Sequence, residues 1–369
     1  MLKLVKDGWI IIGLTLALLL LTDAALKTLI PNTPGALVQP GAVSPDRIQS
    51  PALADAPWVE DYFKELRQAR RTAWSPWEYW RRQPYSGEHI NIDANGVRRS
   101  WQPPEPRFTV WMLGGSTVWG TGARDDHTLP SALARELAGR NLPTSVINLG
   151  ESGFVSAQSQ IRFLRRLETG QLPDLVIFYD GVNDVFAALQ SGLPGVSQNE
   201  SHRKSDFRVT DGVDNYLQAA PRVLEGVGRL LARSDTPEPV QPLAGDIART
   251  YAARVHASFA VADAASIPAL FYWQPSVFSK TPLHTSEQAV LAASLARHQA
   301  LQQATDKAVL AALAGTEYWS DLSQALDGDG QPLLMDFCHL SEAGNRRVAE
   351  QMAGQVAAAL VDPGHRPSD

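Results

Sequence analysis

The sequence predicts an α/β protein built on a parallel sheet, and two observations predict it. Short runs rich in β-branched and aromatic residues alternate with helix-length stretches, the pattern of repeated βα units. Three of those runs pass directly into clusters of small and polar residues, at the strand ends where an open parallel sheet binds ligands. With 369 residues, 44% of them hydrophobic and 20% charged, the chain has material for one large domain with extensions.

Taken in order, the chain begins with Lys3 and Lys6 ahead of an apolar run from Trp9 to Leu21. That run alone is shorter than the roughly 20 residues that span hydrocarbon. Continued through Ala24, Leu26, Leu29 and Ile30 it reaches spanning length, and no well-formed cleavage site interrupts it. Residues 1–30 therefore read as a signal anchor, an N-terminal transmembrane helix, with secretion after signal cleavage as the alternative. The lysines on its N-terminal side place everything beyond Ile30 outside the cytoplasm, on the periplasmic or extracellular side. Residues 31–57, with Pro31, Pro34, Pro40, Pro45, Pro51 and Pro57, read as an extended linker. Residues 58–105 are rich in tryptophan (Trp58, Trp74, Trp77, Trp80, Trp101) and contain a turn signal at Asn95-Gly96. They read as an extension packing on the main domain, with a sugar-stacking platform as the other use of such aromatics.

The main domain is expected over 106–361, followed by a tail at 362–369. Strands are expected at 108–113, 146–149, 175–179, 269–273 and 317–320, and helices at 130–140, 157–167, 247–265, 284–314 and 342–361. Pro130 after Thr128 opens one helix, and Ser341 caps the last. The pattern weakens at about 187–245, which reads as an insertion forming a lid or substrate wall. The formal charge of −6 and the scattered arginines point away from nucleic acid. A single cysteine, Cys338, excludes an intrachain disulfide and cysteine-based zinc or iron–sulfur sites.

The chemistry is concentrated in four blocks. The first expected strand ends in Gly114-Gly115-Ser116-Thr117, the second runs into Asn148-Leu-Gly150-Glu-Ser-Gly153, and the third into Gly181-Val-Asn183-Asp184. Asp336-Phe-Cys-His339 stands before the last helix. A serine hydroxyl needs a base to take its proton, and an imidazole base needs a third group to fix its tautomer. Asp336 and His339, three residues apart, can meet within one turn. An oxyanion needs donors aimed at it, and the N–H of Ser116, the N–H of Gly153 and the side-chain amide of Asn183 could supply three. Asp180 and Asp184 read as braces of their loop, and Cys338 as a small buried filler. Asp327-Gly-Asp-Gly330 reads as a plain turn; His127, His284 and His298 read as surface or packing residues. Arg124-Asp125-Asp126-His127 reads equally as a rim of the site or a solvated loop.

These four blocks, in this order over roughly residues 106–361, resemble those of the SGNH (GDSL-like) serine hydrolases. The resemblance implies a three-layer α/β/α flavodoxin-like sandwich with a parallel central sheet. It further implies Ser116 as nucleophile and oxyanion donor, Gly153 and Asn183 as the other donors, and Asp336 and His339 as the rest of the triad. The chain departs from the family pattern in carrying Gly115 where an Asp precedes the serine, and in the long 187–245 segment. The activity implied is hydrolysis of carboxylic esters through an acyl-enzyme, with O-acyl groups, O-acetyl among them, on cell-envelope polysaccharide as substrate. Lipase, lysophospholipase or thioesterase action, O-acyl transfer, and a non-catalytic envelope binding protein remain as alternatives. No cofactor or metal is implied. The partners implied are the ester substrate, an acylated carbohydrate or lipid, and the membrane through the N-terminal helix.

Overall fold

A computed structural model describes residues 50–53, 56–200, 203–204, 240–328 and 330–361, with scattered positions between 8 and 21. The chain divides into two units, residues 1–42 and 43–369. In the first, the described residues are helical, and Trp9, Leu14, Leu18 and Leu21 are exposed. Most of the expected anchor at 1–30 and linker at 31–57, and the tail at 362–369, lie outside the described residues. Among the described residues no helix is long and apolar enough to cross a membrane.

The second unit opens with helix α1 (Val59–Ala69), whose Tyr62, Phe63 and Leu66 are buried on one face. Strands β1 (Thr72–Ser75) and β2 (Tyr79–Arg82) pair antiparallel, as do the short β3 (Tyr85–Ser86) and β4 (Asn91–Ile92). Asn95-Gly96 does form a turn: Asp93 Oδ1 accepts from the N–H groups of Asn95 and Val97, and Gly96 takes φ 75°. Leu53, α1, Ile90 and Ile92 form a core of their own that also includes Trp119 and Met335. Tyr62 also reaches across by accepting from the Gly122 N–H at 2.7 Å.

That domain alternates β5 (Phe108–Gly114), the single turn α2 (Ser116–Trp119), α3 (Leu129–Gly139), β6 (Thr144–Asn148), α4 (Ser156–Leu167), β7 (Leu175–Asp180) and α5 (Val182–Ser191). It continues with α6 (Val240–Ala264), β8 (Ala269–Trp273), α7 (Thr285–Ala293), α8 (Ala296–Ala312), β9 (Trp319–Asp321) and α9 (Glu342–Val361). The five strands of the sheet are parallel in the order β6-β5-β7-β8-β9. In order of appearance this is the 2-1-3-4-5 arrangement of flavodoxin-like sheets. Side chains alternate between two cores, because successive residues of a strand point to opposite faces. Val110, Met112, Ile177, Tyr179 and Leu270 face α3 and α9, where they meet Leu133, Leu137, Val348 and Met352. Trp111, Leu113, Val176, Phe178 and Phe271 face Phe163 of α4, Tyr251 and Val255 of α6, and Leu301 of α8. The result is three layers, helices on both faces of a sheet whose central strands are buried throughout.

The helix ends follow local chemistry. Thr128 caps α3 by accepting from the Ser131 N–H, and Ser341 Oγ accepts from the Gly344 N–H at the start of α9. Two differences from the sequence reading are larger than a shift of a residue or two at an element's end. The expected helix over 284–314 is two helices, because the backbone is extended at Ser294 and Leu295 while Ser294 Oγ donates back to the Val290 carbonyl. The expected insertion at 187–245 is narrower, since 187–191 complete α5 and 240–245 begin α6. Pro242 is no obstacle there, because a first-turn N–H has no intrahelical acceptor. Within that insertion, 201–202 and 205–239 lie outside the described residues.

Candidate active site

The carboxyl ends of β5 and β7 meet at the point where strand order reverses, the place an open α/β sheet offers a ligand. Ser116 follows β5 as the first residue of α2 and is 8% exposed. The two glycines before it are required by close approach. A Cβ at Gly114 would meet the Tyr179 carbonyl and Val118, and one at Gly115 would meet the side-chain amide of Asn183.

The fourth block curls back between paired Leu334 and Leu340, with the Met335 N–H donating to the His339 carbonyl. His339 Nε2 stands 2.7 Å from Ser116 Oγ, and Nδ1 stands 2.8 Å from Asp336 Oδ2 and 2.9 Å from Oδ1. Because a carboxylate faces Nδ1, the neutral ring carries its proton there, and Nε2 is left as the acceptor for the serine hydroxyl. Asp336 Oδ1 is itself held by the backbone N–H groups of Cys338, at 3.0 Å, and His339, at 2.8 Å. The Cys338 thiol is buried, its sulfur 3.6 Å from His339 Nδ1. One ligand atom from each of Asp336, Cys338 and His339 lies within 4.8 Å of the others, the one such trio among the described residues. A cation on that trio would compete for the Nδ1–carboxylate contact that orients the ring.

Three donors converge on the same end of the sheet. Neither the Ser116 nor the Gly153 N–H meets a protein acceptor among the described residues. Asn183 Nδ2 spends one of its two protons on the Phe154 carbonyl at 2.8 Å and keeps the other. Gln198 Nε2 donates to Asn183 Oδ1 at 3.1 Å, which fixes the amide with its nitrogen toward Gly115. Gly153 takes φ 81°, and a Cβ there would touch Gln198 and Trp80. Gln198 was missed by sequence reasoning, since no motif marks it, and Trp80 was read only as one of the tryptophans of the 58–105 extension.

Buried ion pairs hold the four blocks in place. Glu151, fully buried in the second block, binds Arg82 at 3.1 Å and accepts from the backbone N–H groups of Arg82 and Ser152. Arg98 binds Asp125 at 2.9 Å and donates to the carbonyls of Trp119, Gly120 and Ala123. The Trp119 ring, three residues after Ser116, carries both guanidinium groups over it, at 5.0 Å and 4.4 Å. Asp125 is therefore a buried ligand of Arg98, and burial holds its carboxyl above the usual range. Arg124 turns away to Glu342 at 2.8 Å, and His127 is pushed below its ordinary value chiefly by burial. Of the two readings of 124–127, buried scaffold replaces both rim and solvated loop for Asp125. Lys280 and Glu287 form a third buried pair at 2.5 Å, and Glu287 accepts from the N–H groups of His284, Leu333 and Leu334.

Behind Asn183, Asp184 accepts from the N–H and hydroxyl of Ser156 and lies 3.7 Å from Arg254. Asp180 accepts from Ser159 Oγ, and burial, with Asp184 beside it, pushes its carboxyl up to about 8. His284 caps α7, and His298 is packed among Phe186, Phe278 and Phe337, where burial pushes it down to about 4. The arrangement can take a proton from a hydroxyl on one side and receive negative charge on the other, which is what acyl transfer requires.

Comparison with known proteins agrees with this chemistry. Residues 112–347 match the model of the GDSL-like Lipase/Acylhydrolase family. No curated protein matches the chain. Among solved structures, the acetyl xylan esterase AlAXEase is 14% identical over 67% of this chain and 99% of its own, with a TM-score of 0.40. A carbohydrate acetylesterase family member from Sinorhizobium meliloti is 17% identical over 69% and 99%, with a TM-score of 0.38. The psychrotrophic esterase EstA from Pseudoalteromonas sp. is 13% identical over 69% and 99%, also with a TM-score of 0.38.

Proposed function

The chain belongs to the GDSL-like lipase/acylhydrolase family and is an ester-hydrolysing serine hydrolase, and on that premise we propose that Ser116, His339 and Asp336 are its catalytic triad. The observation that carries the assignment is the unbroken line from Ser116 Oγ through the imidazole to the Asp336 carboxylate, with contacts of 2.7 Å and 2.8 Å. Ser116 Oγ attacks the ester carbonyl while His339 Nε2 takes its proton. Asp336 stabilises the imidazolium that results. The carbonyl oxygen, now negative, is received by the N–H groups of Ser116 and Gly153 and the free amide proton of Asn183. His339 then gives its proton to the departing alkoxide, leaving an acyl-enzyme. Water, deprotonated by the same nitrogen, attacks the acyl carbon; the second oxyanion collapses and Ser116 leaves with the proton.

The substrate class we propose is an O-acyl ester, O-acetyl among them, on a cell-envelope saccharide, met outside the cytoplasm by a protein tethered through residues 1–30. Support comes from the lysines ahead of the apolar N-terminal run, and from Trp74 and Trp77, which stand 69% and 72% exposed on one hairpin. The test is turnover of p-nitrophenyl acetate beside acetylated oligosaccharides and long-chain esters. Ser116→Ala should abolish turnover of all of them and labelling by a fluorophosphonate. Wild-type rates in Ser116→Ala would remove the triad assignment, whereas a marked long-chain preference would remove the saccharide substrate and leave the triad standing.

A further inference from the structure

We propose that the concavity between the β1–β2 hairpin and helix α4 is a binding subsite for saccharide chains bearing carboxylates, which deepens the substrate reading above and rests on it. The concavity has a volume of about 380 Å³, and its walls include Trp74, Glu78, Arg81, Arg162, Arg165 and Arg166. That volume falls within the roughly 300–1,000 Å³ of ordinary small-molecule sites. None of these residues belongs to the triad or to the oxyanion donors.

Its charge is unbalanced in a chain that is acidic as a whole. Four guanidinium groups face one carboxylate. Glu78 is already taken by Arg162 through two contacts of 3.1 Å, while Arg81, Arg165 and Arg166 have no acidic partner among the described residues. Arg166 has its Nε buried without a hydrogen-bond partner. Three uncompensated cations around one concave surface raise the local potential for anions, and guanidinium matches the planar fork of a carboxylate.

The aromatic side of the concavity points to a sugar as the carrier of that carboxylate. Trp74 stands 69% exposed at its edge, on a hairpin whose Trp77 and Tyr79 take φ of 70° and 73°. Bulky residues rarely adopt such values, and the surrounding hairpin holds them there. From Trp74 the rings continue to Tyr79 at 5.9 Å and on to Trp80 at 6.5 Å. Trp80 Nε1 donates to the Ser152 carbonyl, beside Gly153. Leu149, of the same block, lines the concavity directly. An aromatic series thus runs from the anion-binding concavity to the loop that presents the oxyanion donor. Flat apolar rings beside unpaired guanidiniums suit a polymer of acidic sugars, whose ring faces are apolar and whose edges carry carboxylates.

The experiment measures binding of hexagalacturonate to the full chain by calorimetry, with xylohexaose and inorganic phosphate as separate titrants. Hexagalacturonate should bind, and binding should weaken at least about tenfold in Arg165→Glu or on raising salt from about 0.05 M to about 0.5 M. Trp74→Ala should weaken it as well. Turnover of p-nitrophenyl acetate should stay at the wild-type rate in Arg165→Glu, which lies on the exposed surface, and this rate also reports that the variant is folded. Equal binding of xylohexaose, phosphate binding as tight as that of the hexamer, or indifference to Arg165→Glu would overturn the proposal. Since the titration involves no chemistry, its failure is distinct from loss of the triad, which small-ester turnover reports by itself.

Discussion

Glu287→Gln should be among the most damaging single substitutions in this protein although Glu287 touches no substrate. The Lys280–Glu287 pair is wholly buried, and the carboxylate does more than balance the ammonium. Its Oε2 accepts from Lys280 and from the His284 N–H; its Oε1 accepts from the N–H groups of Leu333 and Leu334. Those last two residues lead straight into Asp336. Removing one partner of a buried pair costs about 3–5 kcal/mol, because the other charge is left without compensation. A carboxamide also places a donor where an acceptor is needed, and a buried N–H left unpaired costs about 1–3 kcal/mol. The lower end of the combined range is therefore about 4 kcal/mol, close to the whole stability of a marginal domain. Lys280→Met should cost less, since the carboxylate it strands keeps three N–H donors. Urea denaturation of both variants, followed by tryptophan fluorescence, measures the difference. A cost for Glu287→Gln below about 1 kcal/mol, or equal costs for the two variants, would refute the reasoning.

Three further predictions concern the oxyanion side and pH. Asn183→Ala should lower kcat by about 10²–10³ with little change in KM, since the amide serves charge that develops only in the transition state. Gln198→Ala, which frees that amide to rotate, should lower kcat less, with Gln198→Glu failing to restore it because its carboxylate cannot donate to Asn183 Oδ1; steady-state kinetics on p-nitrophenyl acetate decide both. Burial, with Asp184 adjacent, holds Asp180 up to about 8, so the folded state binds this proton more tightly than the unfolded chain does. Its contribution is complete below about pH 4 and is lost as pH rises toward 8, by up to about 1.4 kcal/mol per unit. Thermal unfolding across pH 5–8 should show Asp180→Asn gaining on wild type as pH rises, and parallel profiles would count against a buried neutral Asp180.

Much of the sheet and the site was legible because both are written locally. Strands such as Leu175–Asp180 and Ala269–Trp273 are buried along their whole length, so they appear as unbroken apolar runs. Asp336 and His339 meet within one turn of chain, and the residues placed around Ser116 stand at strand ends. The supporting residues gave no such sign. Arg82 finds Glu151 sixty-nine residues away, and Arg98 finds Asp125 twenty-seven away, each an ordinary arginine in a chain with many. Gln198 lies in the weakly patterned stretch where neither period nor motif offers a handle. The break at Ser294 and Leu295 lacks the glycine or proline that ends most helices, so a continuous helix was the natural reading.

The tryptophan-rich extension belongs to the catalytic unit in an energetic sense, and not only by contact. Glu151 and Asp125 are buried carboxylates on loops that flank the serine turn, and the cations that compensate them, Arg82 and Arg98, both come from residues 58–105. Buried carboxylates without partners would each cost several kcal/mol, so the two loops can hold their present form only with the extension docked. Trp119 ties the same knot from the other side. Both guanidiniums lie over its ring, its carbonyl accepts from Arg98, and its backbone N–H closes the turn that begins at Gly115 and carries Ser116. Arg98 further spans the gap to β6 through its bridge with Asn148, the first residue of the block that presents Gly153. The aromatic hairpin that leads toward an acidic saccharide is therefore part of the same element whose arginines set the geometry of the oxyanion loop. Arg82, the last residue of β2, joins that hairpin directly to Glu151, two residues before Gly153.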